Sequence, residues 1–156
     1  MISPQLEVTQ PLDNRRFVVI LQANEDDTPV SFRASVPGFV ERLQNVAFIT
    51  VSLTGFITNP ALPFTPAYFV TLGGLLDSNY NQSTGFTYLK MVPYGQPAFF
   101  DHSDYSLANT SINIDAIDVQ VKDYGGNIIT IDTDETIIFE FEVTYYYVQP
   151  VAYLTY

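Results

Sequence analysis

The stretch that decides the fold runs from Ile112 to Tyr147: INIDAIDVQV, then KDYGGN, then IITIDTDE, then TIIFEFEVTYYY. From Ile137 the odd positions are Ile137, Phe139, Phe141, Val143, Tyr145 and Tyr147, and between them lie Glu140, Glu142 and Thr144. A period of two sends successive side chains to opposite faces, so this is a strand with one apolar and one mostly polar face. Ile117, Val119 and Val121 alternate in the same way with Asp118, Gln120 and Lys122. Between the two runs, Gly125 and Gly126 supply the backbone freedom of a tight turn. The segment therefore reads as a late strand, a tail hairpin and a long closing strand. Between Ile114 and Ile117 the apolar phase slips by one residue, which predicts a β-bulge or a strand turning a corner.

Further strands follow upstream. Arg16–Gln22 (RFVVILQ), Val30–Ser35 (VSFRAS), Val46–Ile57 (VAFITVSLTGFI), Ala67–Leu72 (AYFVTL) and Phe86–Val92 (FTYLKMV) are apolar-rich or alternating runs. Gly55 marks a bulge or bend in the longest of them. Met1–Asn14 reads as a polar arm, because Pro4 and Pro11 oppose helix or central strand. Phe39–Asn45 is compatible with one helical turn or an extended lead-in. Asn59–Pro66, Asp77–Gly85 and Pro93–Ser106 read as irregular loops, and Glu25–Pro29 as a turn. The expectation is an all-β domain, a jelly-roll β-sandwich of about eight antiparallel strands. It spans residues 1–156, with an arm over about 1–14 and a tail over about 150–156. Its expected core includes Phe17, Val19, Ile49, Val51, Leu53, Ile117, Val119, Val121, Phe139 and Phe141.

Composition narrows the function. The 156 residues include no cysteine, which excludes a disulfide framework, a thiolate nucleophile and zinc–thiolate sites. The net charge of −11, with only six scattered Lys and Arg, opposes direct binding to nucleic acid or to an anionic membrane. No secretory leader is recognisable at the start, and no apolar run reaches the ~20 residues of a spanning helix. Asn81-Gln82-Ser83 and Asn109-Thr110-Ser111 are glycosylation triplets that matter only in a secreted chain.

The candidate chemistry is sparse. Asp101-His102-Ser103-Asp104 holds the lone histidine, and its ordinary reading is a solvated loop. Asp132-Thr133-Asp134-Glu135, with Asp123, and Glu25-Asp26-Asp27 are oxygen-rich, yet they lack the calcium-loop pattern and read as like-charged turns. No hydrolase, zincin, phosphate-loop or dinucleotide motif occurs. The sequence offers no catalytic, cofactor-binding or metal-binding residue. Its 11 Tyr and 12 Phe fill a sandwich core or, where exposed, suit protein or sugar contacts.

Two segments carry a resemblance: Phe39–Tyr68 (FVERLQNVAFITVSLTGFITNPALPFTPAY) and Ile114–Val143, with its turn Asp123-Tyr124-Gly125-Gly126-Asn127. Together they resemble the minor capsid, or penton, proteins of large DNA viruses with double-jelly-roll major capsid proteins, including virophages and polinton-like viruses. The resemblance spans about half the chain and implies a single jelly roll without catalytic residues. It implies a structural virion protein, assembled in the host cell interior, that closes the icosahedral vertex as a homopentamer beside neighbouring capsid proteins. Relatives often carry an extra outward domain for which this chain is too short, and the aromatic tail with Tyr153 and Tyr156 lies outside the shared pattern. Two alternatives stay open: a carbohydrate- or receptor-binding module of fibre-head or lectin type, with Asp77–Asn81 and Asp101–Tyr105 as its loops, and an enzyme on a jelly-roll scaffold.

Overall fold

The computed structural model describes residues 7–36, 46–59, 67–93, 98–101, 104–109 and 116–150, with backbone alone at 7–13, 46–47, 59, 108–109 and 147–150. Among them every regular element is a β-strand: β1 (Glu7–Gln22), β2 (Thr28–Pro29), β3 (Ser31–Ser35), β4 (Val46–Asn59), β5 (Ala67–Gly73), β6 (Leu76–Asp77), β7 (Asn79–Asn81), β8 (Phe86–Tyr88), β9 (Lys90–Pro93), β10 (Ala98–Phe99), β11 (Ser106–Asn109), β12 (Ala116–Lys122), β13 (Thr130–Ile131) and β14 (Thr136–Pro150).

Two antiparallel sheets form a sandwich. The larger has the order β1-β14-β4-β11-β6, with β10 also on β4, and the smaller has the order β3-β12-β5-β9. The longer strands alternate between the sheets except for the neighbours β5 and β9, so β1, β4, β11 and β14 lie in one and β3, β5, β9 and β12 in the other. The last strand sits between the first and β4, which is a Greek-key winding. Phe32 of β3 meets Phe139 of β14 with ring centroids 5.4 Å apart, and Phe56 of β4 stacks on Tyr68 of β5 at 6.1 Å. These pairs join the two inner faces into one core.

Alternation decides what is buried. Ile137, Phe139, Phe141 and Val143 are fully enclosed, as are Val119 and Val121, and Ile117 nearly so. Of the ten expected core residues, Phe17 and Val19 are only half-buried. Both belong to β1, whose one strand neighbour among the described residues is β14. Among the described residues no further strand pairs with the other side of β1, which leaves its inward side chains partly open.

Three expectations are corrected. The arm expected over Met1–Asn14 is strand from Glu7 onward, and β1 follows β14 as far as Pro150. Pro11 is tolerated because an edge strand can do without a donor, and the register shifts between Pro11 and Asp13. Residues 1–6 and 151–156 lie outside the described residues, as does the phase slip near Ile114. The expected tail hairpin is the second correction. β12 and β14 lie in different sheets, and only the turn itself is a hairpin: Ile129 N–H donates to Val121 O at 3.0 Å, and Gly126 N–H to Asp123 O at 3.1 Å. Beyond it, β13 leaves to pair with β2. The third concerns the loops over Asp77–Gly85 and Pro93–Ser106. The first begins at the last residue of β6 and contains β7, which is hairpinned onto β8, and the second contains β10 and the start of β11. The bulge expected at Gly55 is present: the register on β14 slips so that Thr54 is the extra residue. Its hydroxyl donates to Glu140 Oε1 at 2.8 Å.

Candidate functional site

The outer face of the smaller sheet carries a groove of about 790 Å³. Its floor follows from strand register. Asp118 of β12 lies between Arg33 of β3 and Gly73 of β5, and Gln120 lies between Ser31 and Thr71. These are the outward members of alternating strands whose inward members build the core. Arg33 Nη1 stands 3.6 Å from Asp118 Oδ1, with both side chains more than half exposed. Gln120 Nε2 donates to Ser31 Oγ at 3.2 Å. At Gly73 a Cβ would meet Asp118 Cβ at 3.4 Å, so the missing side chain keeps this part of the floor low.

The β7–β8 hairpin folds over the same face and supplies the wall, with Gly85, Phe86 and Thr87 lining the groove. It explains why Phe69, an outward residue of β5, is nonetheless buried: Phe86 and Tyr88 meet its ring edge-on at 5.3 and 5.0 Å. Lys122 Nζ sits 4.7 Å above the Phe86 ring centroid, a cation–π contact that holds the lysine against the wall. At the groove's end, Asp77 accepts a hydrogen bond from the Ser106 hydroxyl, and its Oδ2 accepts from Leu72 N–H at 3.3 Å. Burial pushes the Asp77 carboxyl above its usual value, against the opposing pull of Ser106, Leu72 N–H and Lys122.

Two cations, Arg33 and Lys122, thus share the groove with two carboxylates, Asp77 and Asp118. The balance differs from the chain's overall −11. The floor sets the donors Arg33 and Gln120 beside the acceptors Asp118 and Ser31, an array that suits a polar ligand.

The other candidate residues fall elsewhere. The acidic turns come together at one end of the sandwich, where Thr133 N–H donates to Asp26 Oδ1 at 3.0 Å and Asp27 N–H to Asp132 Oδ1 at 3.1 Å. The Thr133 backbone N–H, with help from its hydroxyl, holds the Asp26 carboxyl below its usual value. Asp123 Oδ1 accepts from Gly125 and Asn127 N–H, both at 2.9 Å, within its own turn. These carboxylates cap turns, and among the described residues no group of three or more His, Asp or Glu is placed to hold a metal ion. His102 lies outside the described residues. Asp104 accepts from Lys90 Nζ at 2.7 Å. Of the terminal tyrosines, Tyr145 is buried inward, while Tyr146 points outward and stacks on Phe48 at 4.8 Å. Residues 60–66 and 94–97 of the two proline-rich connections lie outside the described residues.

Sequence reasoning reached the groove only at Asp77, through the Asp77–Asn81 loop of the binding-module alternative, and missed its floor. Arg33, Asp118, Gln120 and Lys122 look like ordinary solvent-facing strand positions, and only register across three strands brings them together. Among the described residues no helix is long and apolar enough to cross a membrane. No protein-family model matches the chain, and no curated protein does.

Proposed function

We propose that this chain is a structural virion protein: a minor capsid, or penton, protein that closes icosahedral vertices as a homopentamer, with neighbouring capsid proteins as its other partners. The observation that carries the reading is the strand order. With the minor strands set aside, the larger sheet runs first, last, third, sixth and the smaller runs second, seventh, fourth, fifth. That order matches the winding expected of a single jelly roll, an architecture used by viral capsid proteins, and so supports the reading. The resemblance of Phe39–Tyr68 and Ile114–Val143 to penton proteins supports the same reading. On it the protein is not an enzyme, takes no cofactor, contacts neither genome nor membrane directly, and resides in the capsid. The native mass in solution tests it: a ring of five supports the reading, and a chain that stays monomeric at high concentration and high salt rejects it.

Jelly rolls also serve as lectins, so fold alone does not assign function. The groove specifically favours a second reading as a carbohydrate- or receptor-binding module, since its charge-balanced lining offers both donors and acceptors to a polyhydroxylated ligand. Glycan-array binding that Asp118→Ala and Gln120→Ala abolish, by a protein that forms no ring, would select it.

A further inference from the structure

The free side of β1 is unevenly protected. Edge strands avoid unwanted pairing through prolines, bulges and charges. The first half of β1 has all three: Pro11, the register shift between Pro11 and Asp13, and the charged residues Asp13, Arg15 and Arg16. The second half, Phe17–Gln22 (FVVILQ), has none and follows β14 in unbroken register from Phe17↔Phe141 to Gln22↔Thr136. Its outward Val18 and Ile20 are 55% and 64% exposed. Its inward Phe17, Val19 and Leu21 pack against the core yet stay half-buried, while Ile137, Phe139 and Phe141 beside them are fully enclosed. Among the described residues, the outward face of this edge is therefore exposed and its inward face is only partly covered.

We propose that Phe17–Leu21 pairs, antiparallel and about a two-fold axis, with the same segment of a second copy of this chain, joining the two larger sheets into one. Side-chain parity and charge select this occupant. Outward residues must face outward residues, so only registers that keep parity are allowed. Centred on Val19, the pairing sets Val18 opposite Ile20 and Phe17 opposite Leu21, so all five positions meet an apolar partner. Moving the centre to Val18 sets Arg16 against Ile20, and moving it to Ile20 sets Gln22 against Val18. The ends agree as well. Arg15-Arg16 lies just before the segment and Glu25-Asp26-Asp27 just after it. In the Val19-centred register Arg15 lies opposite Ala23 and Arg16 opposite Gln22, so the basic pair of each copy approaches the acidic turn of the other while Arg16 keeps its own pairing with Glu142 Oε2 at 3.0 Å; parallel pairing sets like charges together. Arg15 offsets part of the mutual repulsion of two chains of charge −11, against the facing of Asp13 and Glu25 in the same register, so the apolar pairs supply most of the attraction. The contact does not rest on the vertex reading, because it joins two chains whether or not either sits in a ring.

Cysteine cross-linking tests partner and register on the full chain, which has no cysteine of its own. Val18→Cys and Ile20→Cys alter exposed side chains, so both variants are expected to fold. Mixed under mild oxidation, they should form a disulfide-linked dimer, because the two positions lie directly opposite. Each alone should cross-link far less, since like positions sit diagonally, about 7–8 Å apart, beyond easy bridging. In a second measurement, sedimentation equilibrium should show the wild-type chain self-associating and Val18→Lys/Ile20→Lys weakened at least about tenfold, or 1.4 kcal/mol, with an unchanged melting curve. Absence of the mixed cross-link, equal cross-linking by either variant alone, or self-association unaffected by the two lysines overturns the proposal. Loss of the ring with the edge contact intact would reject the vertex reading alone.

Discussion

Truncating Phe139 to Ala tests the sandwich at its centre. The ring is fully enclosed. It packs against Phe32 at 5.4 Å across the two sheets, edge-on to Phe56 at 5.5 Å, and parallel to Phe141 at 5.9 Å. A buried aromatic removes about 150–250 Å² from water. At about 25 cal/mol per Å² that is roughly 4–6 kcal/mol for the whole side chain. Alanine keeps the Cβ, and the neighbouring rings relax partway into the space, so the expected loss is about 3–5 kcal/mol. Urea melts followed by circular dichroism read it directly. With an m-value of about 1–3 kcal/mol/M, the midpoint falls by at least about 1 M while m stays constant. Val18→Ala, on the exposed face of β1, should change stability by less than about 0.5 kcal/mol. A loss below about 1 kcal/mol for Phe139→Ala would mean that the inward face of β14 has been assigned to the wrong side.

Other outcomes follow from the same structure. Gly126 has φ +87°, so Gly126→Val should cost roughly 1–3 kcal/mol in thermal or urea melts. Gly125 lies outside the left-handed region, and a Cβ there meets Asn127 Nδ2 at 3.3 Å, so Gly125→Val should cost less than Gly126→Val and more than Asn127→Ser. Stability should rise as pH falls through the raised folded pKa of Asp77 toward about 3.8, because the buried carboxyl folds better protonated and its ionisation costs stability at higher pH; Asp77→Asn should flatten this rise. The lowered Asp26 acts in the opposite sense: its contribution is present above about 3.8 and is lost as pH drops through its lower folded value, so urea midpoints should fall again in strong acid. Mobility-shift assays at ~0.15 M salt should show no DNA or RNA binding, and a complex that dissolves at higher salt would contradict the charge argument.

Much of the fold was legible because period two is a local property. The inward sets of β12 and β14 stand in the sequence as Ile117, Val119, Val121 and Ile137, Phe139, Phe141, and each is buried as a set. Pairing is not local, and there the sequence misled. Alternation says which face a residue takes and not which strand lies beside it, so β12 and β14 looked like partners although they line opposite sheets. Pro11 concealed the first half of β1, because its cost depends on whether the strand is central or at an edge. Asn79–Asn81 is too polar to resemble a strand, yet it pairs with Phe86–Tyr88 and walls the groove. The joined acidic turns were illegible as a unit, since Asp27 and Asp132 are 105 residues apart in sequence.

The measurement that bears most directly on the vertex reading is the mass of the assembled particle in solution. Light scattering on a concentrated sample of Val18→Lys/Ile20→Lys, in high salt and calcium, keeps edge pairing out of the result and screens or bridges the carboxylates that drive acidic chains apart. A vertex protein is expected to appear at five times the 17.5 kDa chain mass, as a closed ring in which each subunit offers two different surfaces to its neighbours. A persistent monomer or a strict trimer would contradict the vertex reading and favour the ligand-binding module.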